Sequence, residues 1–202
     1  MFTNKTKGYL SLISAILIQL LIGNLFTFAN LIPYFQSYLY YAHGNTEKIS
    51  SLQLYFIGPS GIFVHNTFPS FIGFIDKKFG TRALTVFATI CLYFSQLIMY
   101  FSIDYYLLII SYLIYGLGAS ATYFTTLRNC WKYFPHNKDL ISGIIFSSFG
   151  LSSFAFTSIA DLIINPDNIS KEGKYYSKEI ADRCLIYKSF NIFYHNKFFT
   201  LL

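Results

Sequence analysis

Charged residues are scarce in this sequence: Asp, Glu, Lys and Arg make up 12% of its 202 residues, whereas a soluble domain carries about 25%. Hydrophobic residues make up 54% and the mean hydropathy is +0.45, so the chain lacks the polar surface that a water-soluble globule needs. Its length leaves room for about five or six membrane spans of ~20 residues each. We therefore predict an all-α transmembrane protein whose helices cross a lipid bilayer.

Cysteine is also rare, and Cys91, Cys130 and Cys184 lie far apart in the sequence. Their odd number and wide spacing exclude a disulfide framework and fit no metal-binding motif. The sequence contains no Walker loop and no nucleophile–base–acid constellation, and we interpret Gly58-Pro59-Ser60-Gly61 as a helix distortion. We therefore predict neither an enzyme nor a bound cofactor or metal ion.

The net charge of +6 comes from short basic clusters between apolar stretches. A nucleic-acid-binding protein is typically marked by a continuous basic surface instead, so we predict no nucleic-acid partner.

The intervals free of charge predict the helices, because a charge at the bilayer centre costs at least ~2.5 kcal/mol. Pro33 predicts a kink near the outer end of the first helix. Residues 166–202 alternate charged and apolar stretches and are predicted to form an outer loop and an incomplete further helix. Residues 1–165 are predicted to form a bundle of five helices, at about 9–32, 51–75, 83–103, 105–127 and 140–164.

Basic residues are distributed unequally between the two sides of these five helices, which predicts the orientation through the positive-inside rule. If the helices alternate in direction, the amino terminus is cytoplasmic and the loop at 165–188 lies on the outer or lumenal face. The sequence leaves open whether the membrane is the plasma membrane or that of an organelle. The basic residues on the cytoplasmic side are Lys5, Lys7, Lys77, Lys78, Arg82, Arg128, Lys132 and Lys138.

The second and third predicted helices are joined by Gly73-Phe74-Ile75-Asp76-Lys77-Lys78-Phe79-Gly80-Thr81-Arg82. This segment resembles the signature cytoplasmic loop of the major facilitator superfamily. When Gly80 and Arg82 are aligned with the family pattern, Asp76 falls one residue early, which corresponds to about 100° of helical rotation. The resemblance implies a conformational-gating loop with Gly73, Asp76, Gly80 and Arg82 as its functional residues, and it leaves the partner of Asp76 open.

A second motif begins with Tyr112-Leu113-Ile114-Tyr115-Gly116-Leu117-Gly118-Ala119 and continues with Tyr133-Phe134-Pro135 and Ser142-Gly143. This order resembles the amino-terminal half of the oxalate/formate antiporter and monocarboxylate porter branch of the superfamily, and the resemblance covers about residues 8–165. Small residues favour close helix packing in lipid, and this role is predicted for Gly116, Gly118, Gly143 and Gly150.

The resemblance implies a transporter, or a fragment of one, that moves small organic anions such as monocarboxylates by alternating access and pairs with a second transporter half. A non-transporting membrane scaffold or partner subunit is the alternative. We expect that the chain does not transport by itself and that it is a truncated product. Polar residues within the predicted spans are candidates for the substrate pathway, although such residues more often make hydrogen bonds between helices: Asn24, Asn30, His65, Thr122 and Tyr123.

Overall fold

The fold is known from a computed structural model, which describes the backbone of residues 4–171 and 173–199 and the side chains of residues 5–171 and 173–188. This part of the chain is helical and contains no β-strand, as the sequence predicts. Its elements are α1 (Asn4–Ile22), a 3-10 segment (Gly23–Phe26), α2 (Phe28–Ala42), α3 (Ser51–Thr67), α4 (Pro69–Phe101), α5 (Tyr105–Tyr133), α6 (Lys138–Ile164) and α7 (Lys178–Phe199).

Four helical stretches in the described part are long and apolar enough to cross a membrane, whereas the sequence predicts five. The second predicted span, 51–75, is divided between α3 and the first turns of α4. Proline has no amide proton to continue the helical ladder, and Pro69 is the first residue of α4. The four stretches are Lys5–Phe26, Pro69–Phe101, Tyr105–Tyr133 and Lys138–Ile164.

The first predicted helix, 9–32, differs from the structure in its bounds and in the position of its break. Helical structure extends from Asn4 to Ala42, and the interruption is the 3-10 segment Gly23–Phe26. Pro33 lies inside α2, after this break. The chain is crowded at the break, because a Cβ added to Gly23 would lie 2.2 Å from the carbonyl oxygen of Phe149 on α6.

The segment between the second and third predicted helices is helical apart from one residue. Gly80, with φ 82° and ψ 157°, divides α4 at a kink. This combination of angles is essentially restricted to glycine, so a single residue makes the turn for which a loop was predicted. The last two predicted helices correspond to α5, which continues to Tyr133, and α6, which begins at Lys138.

Residues 165–177 connect α6 to α7, and α7 begins at Lys178 and continues to Phe199. The sequence predicts only an incomplete further helix in this region, because charged residues interrupt its apolar stretches. The ammonium group of Lys188 is buried, lying 5.1 Å from the ring centre of Phe35 and 4.5 Å from that of Tyr38. It also lies 3.5 Å from the carbonyl oxygen of Ser102, at the end of α4. Aromatic faces and helix carboxyl-terminal ends both stabilise a cation.

The bundle has two ends, which we name after one residue each. The Gly80 end holds the kink of α4, the last turn of α5 and the start of α6. The Glu47 end holds the connections at residues 43–50, 102–104 and 165–177. Between them, the largest apolar cluster joins side chains of α1, α2, α3, α4, α5, α6 and α7, so α7 is part of the same core.

Candidate functional site

Asp76, one of the predicted gating residues, forms an ion pair with Arg128 near the Gly80 end of the bundle. Asp76 lies on α4 and Arg128 on α5, so the pair joins two neighbouring helices. The side chain of Asp76 is fully buried, whereas that of Arg128 is 42% exposed. Breaking such a pair is costly because it leaves a charge in a medium of low dielectric constant. The pair therefore couples the two helices at this end.

The sequence analysis did not identify Arg128 as the partner of Asp76, since it named Arg128 only as one of the basic residues that set the orientation. A signal for it existed. An acidic residue inside a membrane protein needs a cationic partner on a neighbouring element, and Arg128 is a cation near the end of the next span.

The other predicted gating residues lie along the same stretch of α4. Gly80 forms the kink and is exposed, as is Arg82. A Cβ at Gly80 would meet no atom within 4 Å, whereas one at Gly73 would lie 3.9 Å from the ring of Phe124. The constraint at Gly80 is therefore its backbone conformation, and Gly73 makes an ordinary contact with α5.

The five predicted pathway residues do not form one cluster. Asn24 lies in the 3-10 segment between α1 and α2 and is 9% exposed. Its Oδ1 accepts a hydrogen bond of 3.2 Å from the hydroxyl of Tyr187 on α7. Both residues line an internal cavity, so Asn24 faces the interior of this bundle.

His65 and Tyr123 lie together in a cluster of aromatic rings. The ring of His65 stacks on Phe149 at 4.8 Å between centres and meets Tyr123 edge-on at 5.9 Å. Phe26 also contacts Phe149, at 5.0 Å. His65 is 3% exposed, and its buried Nδ1 has no hydrogen-bond partner in the described part of the chain. The structure thus brings α3, α5, α6 and the 3-10 segment together around one imidazole.

Asn30 and Thr122 make separate hydrogen bonds. Asn30 is exposed, and its side-chain amide donates a 3.0 Å hydrogen bond to Thr157 on α6. The buried hydroxyl of Thr122 donates to the carbonyl of Gly118, one turn earlier in α5, at 2.9 Å. Asn30 therefore makes a hydrogen bond between helices, the alternative to a place in the pathway, whereas the bond of Thr122 stays within α5.

The four glycines predicted for helix packing fall into two pairs. A Cβ at Gly116 would lie 2.3 Å from the carbonyl oxygen of Gly61 on α3, and one at Gly118 would lie 2.8 Å from Leu92 on α4. These two glycines permit close helix approach. Gly143 and Gly150 have open space around the same position. They lie on parts of α6 that no described helix covers, which differs from the prediction for them.

No group of three or more His, Cys, Asp or Glu side chains that could hold a metal ion occurs among the described residues.

Two known proteins are similar to this chain, and no protein-family model matches it. The uncharacterized MFS-type transporter YhjX of Escherichia coli (strain K12) is 31% identical over 103 residues, which are 50% of this chain and 26% of that protein. The agnestins efflux protein AgnL12 of Paecilomyces divaricatus is 24% identical over 139 residues, 68% of this chain and 32% of that protein.

The matches thus span only about a quarter to a third of the length of each relative. Both relatives are named as proteins that move substances across membranes, and neither is named as an enzyme. With four apolar helices of spanning length in its described part, the chain is a multi-pass integral membrane protein, and its relatives support placing it in the major facilitator superfamily.

Proposed function

We propose that the chain forms part of a transporter that moves small organic anions such as monocarboxylates by alternating access, in the manner of the oxalate/formate antiporter and monocarboxylate porter branch. The observation that carries this proposal is the ion pair between Asp76 and Arg128 beside the kink at Gly80. A buried carboxylate paired across two helices has a cost when the helices separate. The pair and the kink therefore favour one conformational state over the other.

We also propose an orientation for the chain in the membrane. The Gly80 end carries the basic residues of the α4 kink, α5 and α6, and we assign it to the cytoplasm under the positive-inside rule. The amino terminus of α1 then lies in the cytoplasm, and residues 165–177 lie on the outer or lumenal face.

Transport requires a second helical half, which would cover the faces that this bundle leaves open. Asn30 is exposed, and Gly143 and Gly150 have no neighbour within 4 Å of an added Cβ. Alternating access proceeds by movement of one half against the other around a site between them. The cluster of His65 and Tyr123 with Phe149 is the part of this half that we assign to that site, and Asn30 adds a hydrogen-bonding group.

Reconstitution of the purified chain in liposomes with labelled oxalate, formate, lactate and pyruvate tests this function. We expect no saturable uptake by chains that cross-linking shows to be monomeric. We expect saturable uptake when two halves are assembled, either as a dimer of this chain or as a complex of this chain with a partner purified from the same native membrane. Saturable uptake by monomers would contradict the requirement for a second half. Failure of every assembly to bind any of the four anions would contradict the substrate class, and stable assembly without anion binding would favour the scaffold alternative.

Asp76→Asn tests the gating role within the same assay, with Asp104→Asn as the matched control because Asp104 is exposed in the α4–α5 connection. We expect Asp76→Asn to change the uptake rate several-fold at equal abundance in the membrane, and Asp104→Asn to leave it unchanged. Equal rates for both variants would contradict a gating role for the ion pair.

A further inference from the structure

An internal cavity lies beside the break between α1 and α2, apart from the gating residues and from the His65 cluster. The 3-10 segment and α2 form one wall, and α4, α5 and α7 form the others. The volume open to the centre of a water molecule is about 20 Å³. A water requires at least about 10–15 Å³ by this measure, so the cavity is large enough for one water and too small for an organic anion.

One wall of this cavity presents a hydrogen-bond acceptor that the described part of the chain does not satisfy. Gln96 on α4 is 5% exposed, and its Oε1 is buried without a partner among the described residues. A buried amide oxygen without a hydrogen bond costs about 1–3 kcal/mol, and inside a membrane protein no bulk water is at hand to supply one. The side chain lines the cavity, where a small donor can reach it.

The remaining polar groups around the cavity provide further partners. Ser95 and Ser111 donate their hydroxyl hydrogens to backbone carbonyls of their own helices at 2.7 Å, which leaves oxygen lone pairs as acceptors. Tyr112 contributes a phenol to the same lining. A buried water typically makes about three hydrogen bonds. These groups are neutral, and a cation without a carboxylate would be costly here, so the chemistry favours water over a sodium ion.

We propose that this cavity binds one ordered water molecule, which donates a hydrogen bond to Oε1 of Gln96 and bonds to the hydroxyl groups beside it. The water links α4 and α5 next to the broken helix segment, where Asn24 already connects to α7 through Tyr187. Helix interruptions are places where waters insert into membrane helices and satisfy polar groups. This water site does not depend on the proposed transport function.

X-ray radiolytic labelling with mass spectrometry tests the site on the full chain in lipid nanodiscs. Hydroxyl radicals formed from a bound water oxidise the side chains next to it, and Met99 lines the cavity although it is only 7% exposed. Tyr38, 8% exposed, is the buried reference side chain. After correction for intrinsic reactivity, we expect Met99 to be labelled several-fold faster than Tyr38. Equal normalised rates would overturn the proposal.

Gln96→Leu removes the acceptor, and Gln19→Leu serves as the control because Gln19 is an equally buried amide that bonds Thr126 away from this cavity. We expect the labelling of Met99 to decrease in Gln96→Leu and to remain in Gln19→Leu, each in chains that elute as folded species. Labelling that persists in Gln96→Leu would contradict the role of that oxygen. Loss of labelling on addition of sodium, but not of choline, would replace the water with a cation and overturn the proposal.

Discussion

The two ends of the bundle are both held by oppositely charged side chains, but the two contacts differ in burial. At the Gly80 end, Asp76 is buried and pairs with Arg128 across two packed helices. At the Glu47 end, Glu47 accepts hydrogen bonds of 2.7 Å from Lys174 at both carboxylate oxygens, and both side chains are about half exposed. Charges inside a protein interact more strongly and are screened less than charges in water. We therefore expect the ends to respond differently to mutation and to pH.

Aromatic contacts strengthen the Glu47 end, where the ion pair is exposed to solvent. Tyr175 donates a hydrogen bond to Glu47 and stacks on Tyr40 of α2, with ring centres 4.1 Å apart. Tyr176 stacks on Tyr34 at 4.7 Å, and its backbone amide donates to Ser37 at 3.0 Å. Residues 174–176 thus contact α2 through two stacked ring pairs and a backbone hydrogen bond, and they contact Glu47 through a surface ion pair. A single charge substitution there removes only part of the contact.

The largest effect is expected for Arg128→Met, which leaves Asp76 buried without its partner. Removing one member of a buried pair costs about 3–5 kcal/mol, and the exposure of Arg128 favours the lower figure. Lys132→Met, one turn further along α5 and exposed, should change little. Thermal unfolding of the purified chains in detergent measures both. A double variant with Asp76→Asn should recover part of the loss, and no recovery would show that Arg128 acts through contacts other than this pair.

The second effect concerns the backbone at the Gly80 end of the bundle. Gly80 has φ 82° and ψ 157°, and occupying this glycine region costs other residues about 1–3 kcal/mol. We expect Gly80→Ala to lower the stability of the chain by about this amount, although an added Cβ would meet no atom. The control is Gly143→Ala, in a helix with open space, which should be neutral or stabilising because alanine favours helices. Equal effects of the two substitutions would show that the backbone at residue 80 changes its conformation to accept alanine.

Sequence reasoning identified the helical class, and it singled out Gly80, where the structure has a kink, because hydropathy and glycine leave signals that do not depend on neighbours. It did not find the division of the second span at Pro69. An apolar run predicts one continuous span even where a proline inside it lacks the backbone amide proton. Nor did it find Arg128 as the partner of Asp76, because pairing depends on how α4 and α5 pack. The depth at which a charge lies also depends on packing, so the sequence predicted only an incomplete helix where α7 lies.

The third effect concerns Lys188, which holds α7 near the Glu47 end. A buried cation over aromatic rings is worth about 2 kcal/mol, and Lys188→Met keeps much of the side-chain length but removes the charge. We expect residues 165–177 to be cleaved several-fold faster by added protease, because α7 would pack less firmly on α2 and α4. Lys178→Met is the control, since Lys178 is exposed at the start of α7. An unchanged cleavage rate would show that apolar packing alone holds the helix.

The smallest effect is expected at Glu47. Hydrogen bonds from Lys174 and then Tyr175 hold the pKa of the Glu47 carboxyl below its ordinary value of 4.5. A lowered pKa in the folded chain means that the contact is fully present above the ordinary pKa and is lost as the pH falls through the lowered pKa.

Hydrogen exchange of the backbone amide of Tyr176 measures this contact, once the rates are corrected for the intrinsic effect of pH. We expect constant protection from neutral pH to about pH 5, and weaker protection at a pH low enough to protonate the Glu47 carboxylate. Glu47→Gln should show the weaker protection at every pH, with Glu179→Gln as the control because Glu179 forms its ion pair with Arg183 of the same helix, α7. The change should remain small, since the exposed pair is screened by solvent and the ring contacts of Tyr175 with Tyr40 and of Tyr176 with Tyr34 do not depend on the carboxylate. A large loss of protection in Glu47→Gln would mean that the exposed pair, and not the aromatic contacts, holds this end of the bundle, and it would remove the distinction between the two ends.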